Sequence, residues 1–144
     1  MAPRGYRMLD YMSDAFVEAY GGTMPLAFAA AGKGLLAVMT DVRKVRRKEE
    51  VEVGTISAPD SHALLYEWLE FVLLRYELDG LLLPYCSLAM ERSTSGTTLT
   101  GVMWGERFDP LRHGIKRQVK AVTYHQMEVL EEGGRWRVRF LLDL

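Results

Sequence analysis

The chain has 144 residues, of which 49% are hydrophobic and 26% are charged. Its 18 lysines and arginines nearly balance 19 aspartates and glutamates, which gives a formal net charge of −1. This composition excludes a disordered chain and a polyelectrolyte that binds nucleic acid through its overall charge. The length predicts a single domain, 1–144, that buries a core without metal or disulfide crosslinks.

A single cysteine, Cys86, excludes an intrachain disulfide and a metal site built from several cysteines. The first seven residues lack the apolar segment of a signal peptide. The longest apolar runs are far shorter than the ~20 residues that a membrane span requires. We therefore expect a cytoplasmic protein without membrane contact.

The first third of the chain predicts a strand followed by a helix. Residues 15–20 predict a strand that ends at a Gly-Gly pair. Thr23 is a suitable N-cap, and apolar residues then recur at spacings of three and four up to about Met39, which predicts an amphipathic helix. Gly32 and Gly34 cost this helix roughly 1 kcal/mol each against alanine, so we expect a closely packed neighbouring backbone there.

The middle of the chain combines a charged loop with a second helix. Residues 43–48 contain five basic side chains, which we interpret as a solvated loop in preference to a binding patch because two glutamates follow. Residues 51–56 alternate as a strand. An apolar stripe at helical spacing over residues 64–76 predicts the second helix.

The strands that follow are predicted from their turns. Residues 81–91 predict one buried strand, or two strands broken near Pro84, and residues 97–104 predict its hairpin partner. Residues 105–114 have the composition of a charged loop, and loops on a rigid sheet often carry function.

The end of the chain predicts a β-hairpin around the Gly-Gly pair at 133–134. The strand 135–143 alternates, so one face should lie in the core and the other should be exposed. The predicted core face carries Trp136, Val138, Phe140 and Leu142. The predicted exposed face carries Arg135, Arg137, Arg139, Leu141 and Asp143. This arginine face suits phosphates or an acidic partner, and a simple solvated surface is the equal alternative.

Together these elements predict an α+β domain in which two α-helices pack on an antiparallel or mixed β-sheet. The sequence contains no glycine-rich phosphate loop, nucleophile elbow, HExxH or CxxC motif. We therefore expect no turnover by the isolated protein.

Six segments in the same order resemble the archease family, the small cofactors of the RNA-splicing ligase. They are residues 6–21, 39–41, 64–80, 105–113, 119–125 and 142–144. The run Val-Lys-Ala-Val-Thr-Tyr-His at 119–125 is the most specific. The early family motif usually reads His-Thr-Ala-Asp, and here Tyr11-Met12-Ser13-Asp14 stands in its place. Gln118 stands where the family has a glutamate.

The resemblance implies an archease-like fold and a bound divalent cation, calcium in the first place and magnesium as the alternative. It points to Asp14 and Asp143 as metal ligands, with Asp10 and Asp41 as further candidates. Carboxylate oxygens suit these hard cations. A turn or cap role is an equal alternative for Asp10 and Asp41. The strands beside Asp14 and Asp143 are apolar enough to share a sheet, so we predict that the two residues converge.

The implied function is a non-enzymatic activator of the ligase that joins 3′-phosphate or 2′,3′-cyclic phosphate to 5′-hydroxyl RNA ends. The implied partners are the ligase and RNA, bound directly or through the ligase. Alternatives are a metal-dependent phosphoester hydrolase acting on nucleotides or RNA, and an RNA-binding chaperone. A structural role is the alternative for any single histidine. The residues predicted to contact a partner or RNA are Arg135, Arg137, Arg139, His113 and Lys120.

Overall fold

The computed structural model describes residues 3–11 and 13–144, so Met12 of the early motif lies outside the described residues. The elements follow in this order: β1 (Gly5–Leu9), β2 (Ala15–Gly21), α1 (Met24–Met39), a 3-10 turn (Val42–Lys44), β3 (Glu49–Glu52), β4 (Ile56–Ala58), α2 (Ser61–Asp79), β5 (Leu81–Ser93), β6 (Gly96–Arg107), α3 (Pro110–His113), β7 (Ala121–Glu132) and β8 (Arg135–Asp143).

The strands form two antiparallel sheets. The first sheet has the order β1-β2-β8-β7. In the second sheet β6 is central and pairs with β5, β3 and β4. The predicted α+β class is confirmed, with two sheets rather than one. The two predicted helices are α1 and α2, and the one-turn α3 lies in the segment predicted as a loop.

Helix α1 forms the layer between the two sheets. The Thr23 hydroxyl accepts a hydrogen bond from the amide of Leu26 and caps the helix as predicted. The helix contacts β1, β2 and β8 on one side and β5 on the other. Because both sides are covered, nearly all of its apolar residues belong to the core.

The two glycines of α1 lie at close contacts, although their neighbours are side chains rather than a backbone. A Cβ on Gly32 would lie 3.1 Å from Cζ2 of Trp68, and one on Gly34 would lie 3.0 Å from Cγ1 of Val17. The Trp68 indole N–H donates to the carbonyl of Phe28 at 2.7 Å. This buried bond fixes α2 against α1 at the place where the missing side chain of Gly32 makes room.

The C-terminal hairpin takes the predicted form. Gly133 and Gly134 adopt φ values of 61° and 74° in its turn. Strand β8 lies between β2 and β7, so it is an interior strand of the first sheet. Its core face is confirmed for Val138, Phe140 and Leu142, which have no exposed surface, while Trp136 is half-buried. Leu141, predicted on the exposed face, is buried as well, so the prediction is wrong at that position. No helix within residues 3–11 and 13–144 is long and apolar enough to cross a membrane.

Candidate functional site

Two aspartates from opposite ends of the sequence meet at one end of the first sheet. Ala15 pairs with Leu142 in the antiparallel register of β2 and β8, so Asp14 and Asp143 occupy the next pair of positions. Directly opposed residues of antiparallel strands have Cβ atoms roughly 4.5–5.5 Å apart. Asp14 is half-buried and Asp143 is exposed. The backbone therefore brings the two aspartates to the same end of neighbouring strands, at the surface.

The surroundings of this aspartate pair determine which ion it fits. Asp10 is exposed at the same end of the sheet, just beyond β1. In the part of the chain that the structure describes, no group of three or more His, Cys, Asp or Glu residues could hold a metal ion. Two carboxylates without a nitrogen or sulfur ligand fit a hard cation such as calcium or magnesium, with water at the remaining positions. The oxygen atoms of the pair are thus of the kind that the implied ion prefers, but the pair supplies only a few of the ligands that the ion needs.

Lys120 lies directly beside the aspartate pair. Its backbone amide donates to the carbonyl of Asp143 at 2.8 Å, and its side chain is exposed. Among the residues predicted to contact a partner, Lys120 is therefore the one that belongs to this end of the sheet.

Asp41 lies at the end of α1 and caps the 3-10 turn. Its Oδ1 accepts from the Arg43 amide at 3.2 Å and from Arg43 Nε at 2.9 Å, and its Oδ2 accepts from the same guanidinium at 3.0 Å. These hydrogen bonds lower the pKa of Asp41 to about 2. Both oxygens are occupied, so in this structure Asp41 has the capping role that was the alternative to a metal ligand.

His113 is part of a buried polar cluster and not of the surface. The Asp109 amide donates to its Nδ1 at 2.9 Å, so Nε2 carries the hydrogen and donates to Glu106 Oε2 at 3.0 Å. Arg112 pairs with the other oxygen of Glu106. His113 is fully buried, so the expectation that its side chain contacts a partner or RNA is wrong for this structure. The structural alternative describes it.

The arginine face of β8 also differs from the prediction. Glu18, only 4% exposed, accepts from Arg7 Nε and from Arg139 Nε at 2.7 Å each, and Arg137 lies 4.0 Å away. Burial raises the pKa of Glu18, but the hydrogen bonds from Arg139 and Arg7 outweigh it, so the net shift is downward. Arg137 and Arg139 are half-buried, and only Arg135 is exposed. The face is thus a charge-paired layer over a buried carboxylate.

A β-bulge interrupts β7 within the most specific run of the sequence. The register with β8 shifts between Thr123 and Glu128, and Gln126 has a φ of 62°. Such a conformation is costly for a residue with a side chain. Tyr124, 54% exposed, stacks on Tyr66 with ring centroids 4.4 Å apart. The bulge therefore lies next to a stacked tyrosine pair that is partly exposed.

Sequence reasoning missed the role of Glu18 and the bulge at Gln126. Local sequence does not reveal the role of Glu18, because alternation along a strand places a carboxylate between Val17 and Ala19 on the face opposite to both, where exposure is expected. The sequence around Gln126 contains no glycine or proline that would mark the bulge.

The comparisons with known proteins agree with one another. The family model of the Archease protein family matches residues 6–144. Protein archease of Thermococcus kodakarensis is 36% identical over 142 residues, which cover 98% of this chain and 99% of that protein. Protein archease of Sulfolobus acidocaldarius is 34% identical over 139 residues, with 96% and 98% covered.

Two solved structures share the fold. The solution structure of a Methanobacterium thermoautotrophicum protein matches with a TM-score of 0.82 and 34% identity, and covers 97% of this chain and 99% of its own. The crystal structure of an archease and possible chaperone from Thermotoga maritima matches with a TM-score of 0.60 over 94% of both chains. That second likeness concerns the fold alone, because the identity is 14%. With the match over residues 6–144 and these relatives, the chain belongs to the archease family.

Proposed function

We propose that the chain is a non-enzymatic activator of the RNA-splicing ligase that joins 3′-phosphate or 2′,3′-cyclic phosphate to 5′-hydroxyl RNA ends. In this role it promotes guanylylation of the ligase and repeated turnover in tRNA splicing or RNA repair. Family membership supports the proposal, and the convergence of Asp14 and Asp143 carries it. The carboxylates of Glu18, Glu106 and Asp41 are each engaged by an arginine within the chain. The aspartate pair has no such partner among the described residues, so its charge is available to something outside the fold.

A divalent cation would be held by Asp14 and Asp143, with calcium the first choice and magnesium the second. Such an ion would supply positive charge at the surface where the ligase is contacted. Arg135, which is exposed, remains in the proposed contact surface, whereas Arg137 and Arg139 are available only in part because they pair with Glu18.

The proposal is tested by ligation assays with the ligase and an RNA pair that carries a 3′-phosphate and a 5′-hydroxyl. Asp14→Asn and Asp143→Asn should each lose most of the stimulation of turnover, because each removes half of the carboxylate pair. Asp60→Asn is the matched control, since Asp60 only caps α2 and asparagine caps a helix equally well. Stimulation by Asp143→Asn at the wild-type level would refute the role of the pair.

The cation is tested separately, by calorimetric titration of calcium and magnesium into the isolated protein. We expect binding that Asp143→Asn weakens strongly, because one of the two protein ligands loses its charge. Equal binding by the variant, or no binding at millimolar calcium, would remove the ion from the proposal and leave a direct contact between carboxylates and ligase. Hydrolysis of RNA or nucleotides by the isolated protein, abolished in Asp14→Asn, would favour the hydrolase alternative.

A further inference from the structure

A cleft of about 320 Å³ opens between the edges of the two sheets. Strand β1 is an edge of the first sheet and β5 is an edge of the second, and both contact α1. Leu26, Ala29 and Lys33 follow at spacings of three and four on α1 and line the cleft. One face of the helix is therefore the floor, and the two strand edges are the walls.

The charge of this cleft is entirely positive. Arg4 reaches it from the segment before β1, Lys33 from α1, and Arg47 from the loop before β3. No aspartate or glutamate lines the cleft in the described ranges. None of these three cations forms a salt bridge within those ranges, in contrast to the paired Arg7 and Arg43 nearby. Three unpaired cations around one opening favour an anion.

An aromatic side chain holds two of the cations in place. The hydroxyl of Tyr85 donates to the carbonyl of Val45 at 2.8 Å, which fixes the ring. Lys33 Nζ lies 5.3 Å and the Arg47 guanidinium 4.6 Å from the centre of this ring. Arg47 also lies 5.6 Å from the ring of Trp104, whose indole N–H is bonded to Glu50 on the strand beside it. The cations are thus positioned before any ligand arrives, which lowers the cost of ordering them.

The remaining surface of the cleft is neutral and apolar. Leu26, Ala29 and Ala30 line it together with Cys86. Burial raises the pKa of the Cys86 thiol to about 12, so the thiol stays uncharged. A ligand that combines a phosphate with a flat or apolar body matches a surface that combines cations with small apolar side chains. Inorganic phosphate alone would leave this surface unused.

We propose that this cleft binds a phosphorylated nucleotide, with the phosphate on Lys33, Arg47 and Arg4 and the sugar and base against the apolar face of α1. The cleft is a separate site from the aspartate pair, because Arg4 precedes β1 while Asp14 lies beyond its other end, a strand length of roughly 17 Å. The nucleotide is free or belongs to an RNA end, since both present the same chemistry.

Binding is measured on the isolated protein by calorimetry with AMP, with inorganic pyrophosphate and with a short single-stranded RNA that carries a terminal phosphate. We expect wild-type protein to bind AMP and the RNA, and the double variant Lys33→Gln/Arg47→Gln to bind each roughly tenfold more weakly or worse. Tighter binding of the RNA than of AMP identifies an RNA end as the source of the nucleotide, and tighter binding of AMP identifies the free nucleotide.

Lys48→Gln is the matched control, because Lys48 is an exposed cation of the same loop that does not line the cleft. Arg47→Gln alone, at an exposed loop position, provides a variant whose folding is not at risk. Pyrophosphate binding that equals AMP binding would overturn the nucleotide assignment, as would equal binding by the control and the double variant. The ligase is not needed in this assay, so a failure of the nucleotide-binding proposal can be distinguished from a failure of the ligase-activation proposal.

Discussion

Glu106 joins three segments of the chain through one buried carboxylate. It accepts hydrogen bonds from the Arg46 amide at 2.7 Å and from His113, and it pairs with Arg112. The carbonyl of His113 in turn accepts from the Thr40 hydroxyl at 2.9 Å. The end of α1, the loop before β3 and helix α3 therefore depend on the same charge.

Glu106→Gln should lower the free energy of unfolding by about 2 kcal/mol, because the nearly buried Glu106 loses the charge that strengthens its hydrogen bonds with Arg112, His113 and the Arg46 amide. The hydrogen bond from Arg112 lowers the pKa of Glu106 to about 2. The Glu106 carboxylate therefore stabilises the fold fully above ~4.3, the pKa of glutamate in the unfolded chain, and this stabilisation is lost as the pH falls towards 2.

Urea unfolding at neutral pH and near pH 3 measures both effects of the Glu106 substitution. The gap in stability between wild type and variant should narrow near pH 3, since this carboxylate is then mostly protonated in the unfolded wild type, and it should close only as the pH falls to about 2 and below. Glu131→Gln, at an exposed position of β7, is the control and should change little. A constant gap between wild type and variant across this range would contradict the assignment.

Substitutions of Arg139 and Arg135 provide a second comparison of stability. The two arginines lie four residues apart on β8 and therefore on the same face. Arg139→Glu would place a carboxylate beside the nearly buried Glu18, so we expect a loss of about 3 kcal/mol or more. Arg135→Glu changes an exposed residue that lies over the ring of Tyr20, and should cost less than about 1 kcal/mol. Thermal melts of the two variants test this, and equal melting temperatures would mean that the Glu18 pairs contribute nothing.

At the scale of elements, the bulge in β7 is the part of the sheets that departs most from regular geometry. Gln126→Gly should raise the free energy of unfolding by roughly 0.5–1 kcal/mol, because glycine adopts a positive φ without strain. Leu130→Gly, at a paired position of the same strand, should lower it by about 1 kcal/mol. Chemical denaturation of both variants gives the comparison. A loss of stability in Gln126→Gly would show that the glutamine side chain contributes more than its backbone costs.

Elements with a strong local period were predictable. Helices α1 and α2 and the final hairpin follow from apolar spacing, a threonine cap and a Gly-Gly turn. Helix α3 was missed even though Asp109 and Pro110 form a cap followed by proline at the first helical position. The division into two sheets was not predictable, because it depends on which distant strands pair.

The same distinction applies to the sites. The convergence of Asp14 and Asp143 could be predicted, because the strands beside them are apolar enough to lie in one sheet. The Glu18 pairs require the register of β1, β2 and β8, which the sequence does not specify. The cleft is lined by residues from four distant segments, so it could not be predicted from local composition. The basic run that contains Arg47 was therefore interpreted as a solvated loop.

At the scale of the whole molecule, the fold carries two separate surfaces of opposite charge. The end of the first sheet with Asp14 and Asp143 is acidic, and the cleft between the sheet edges is basic. The aspartate pair lies at the end of β2 and β8, the cleft is lined by β1, β5 and α1, and β1 pairs with β2, so the first sheet connects the two surfaces. A cation at one surface and a phosphate at the other would therefore bind with little change in the shape of the fold.

The interior position of β8 has a consequence for how the protein folds. Glu18 and Arg139 are 121 residues apart in sequence, yet they lie on neighbouring strands. The chain loses entropy when it closes a loop of this length, and the stabilising contacts between the strands form only afterwards. Such non-local pairing slows folding. On the ribosome, the β1–β2 hairpin has to wait with one unpaired edge until residues 135–143 have emerged. Strand β8 is synthesised after β1, β2 and β7, so until it pairs with β2 that edge is open to the wrong partner.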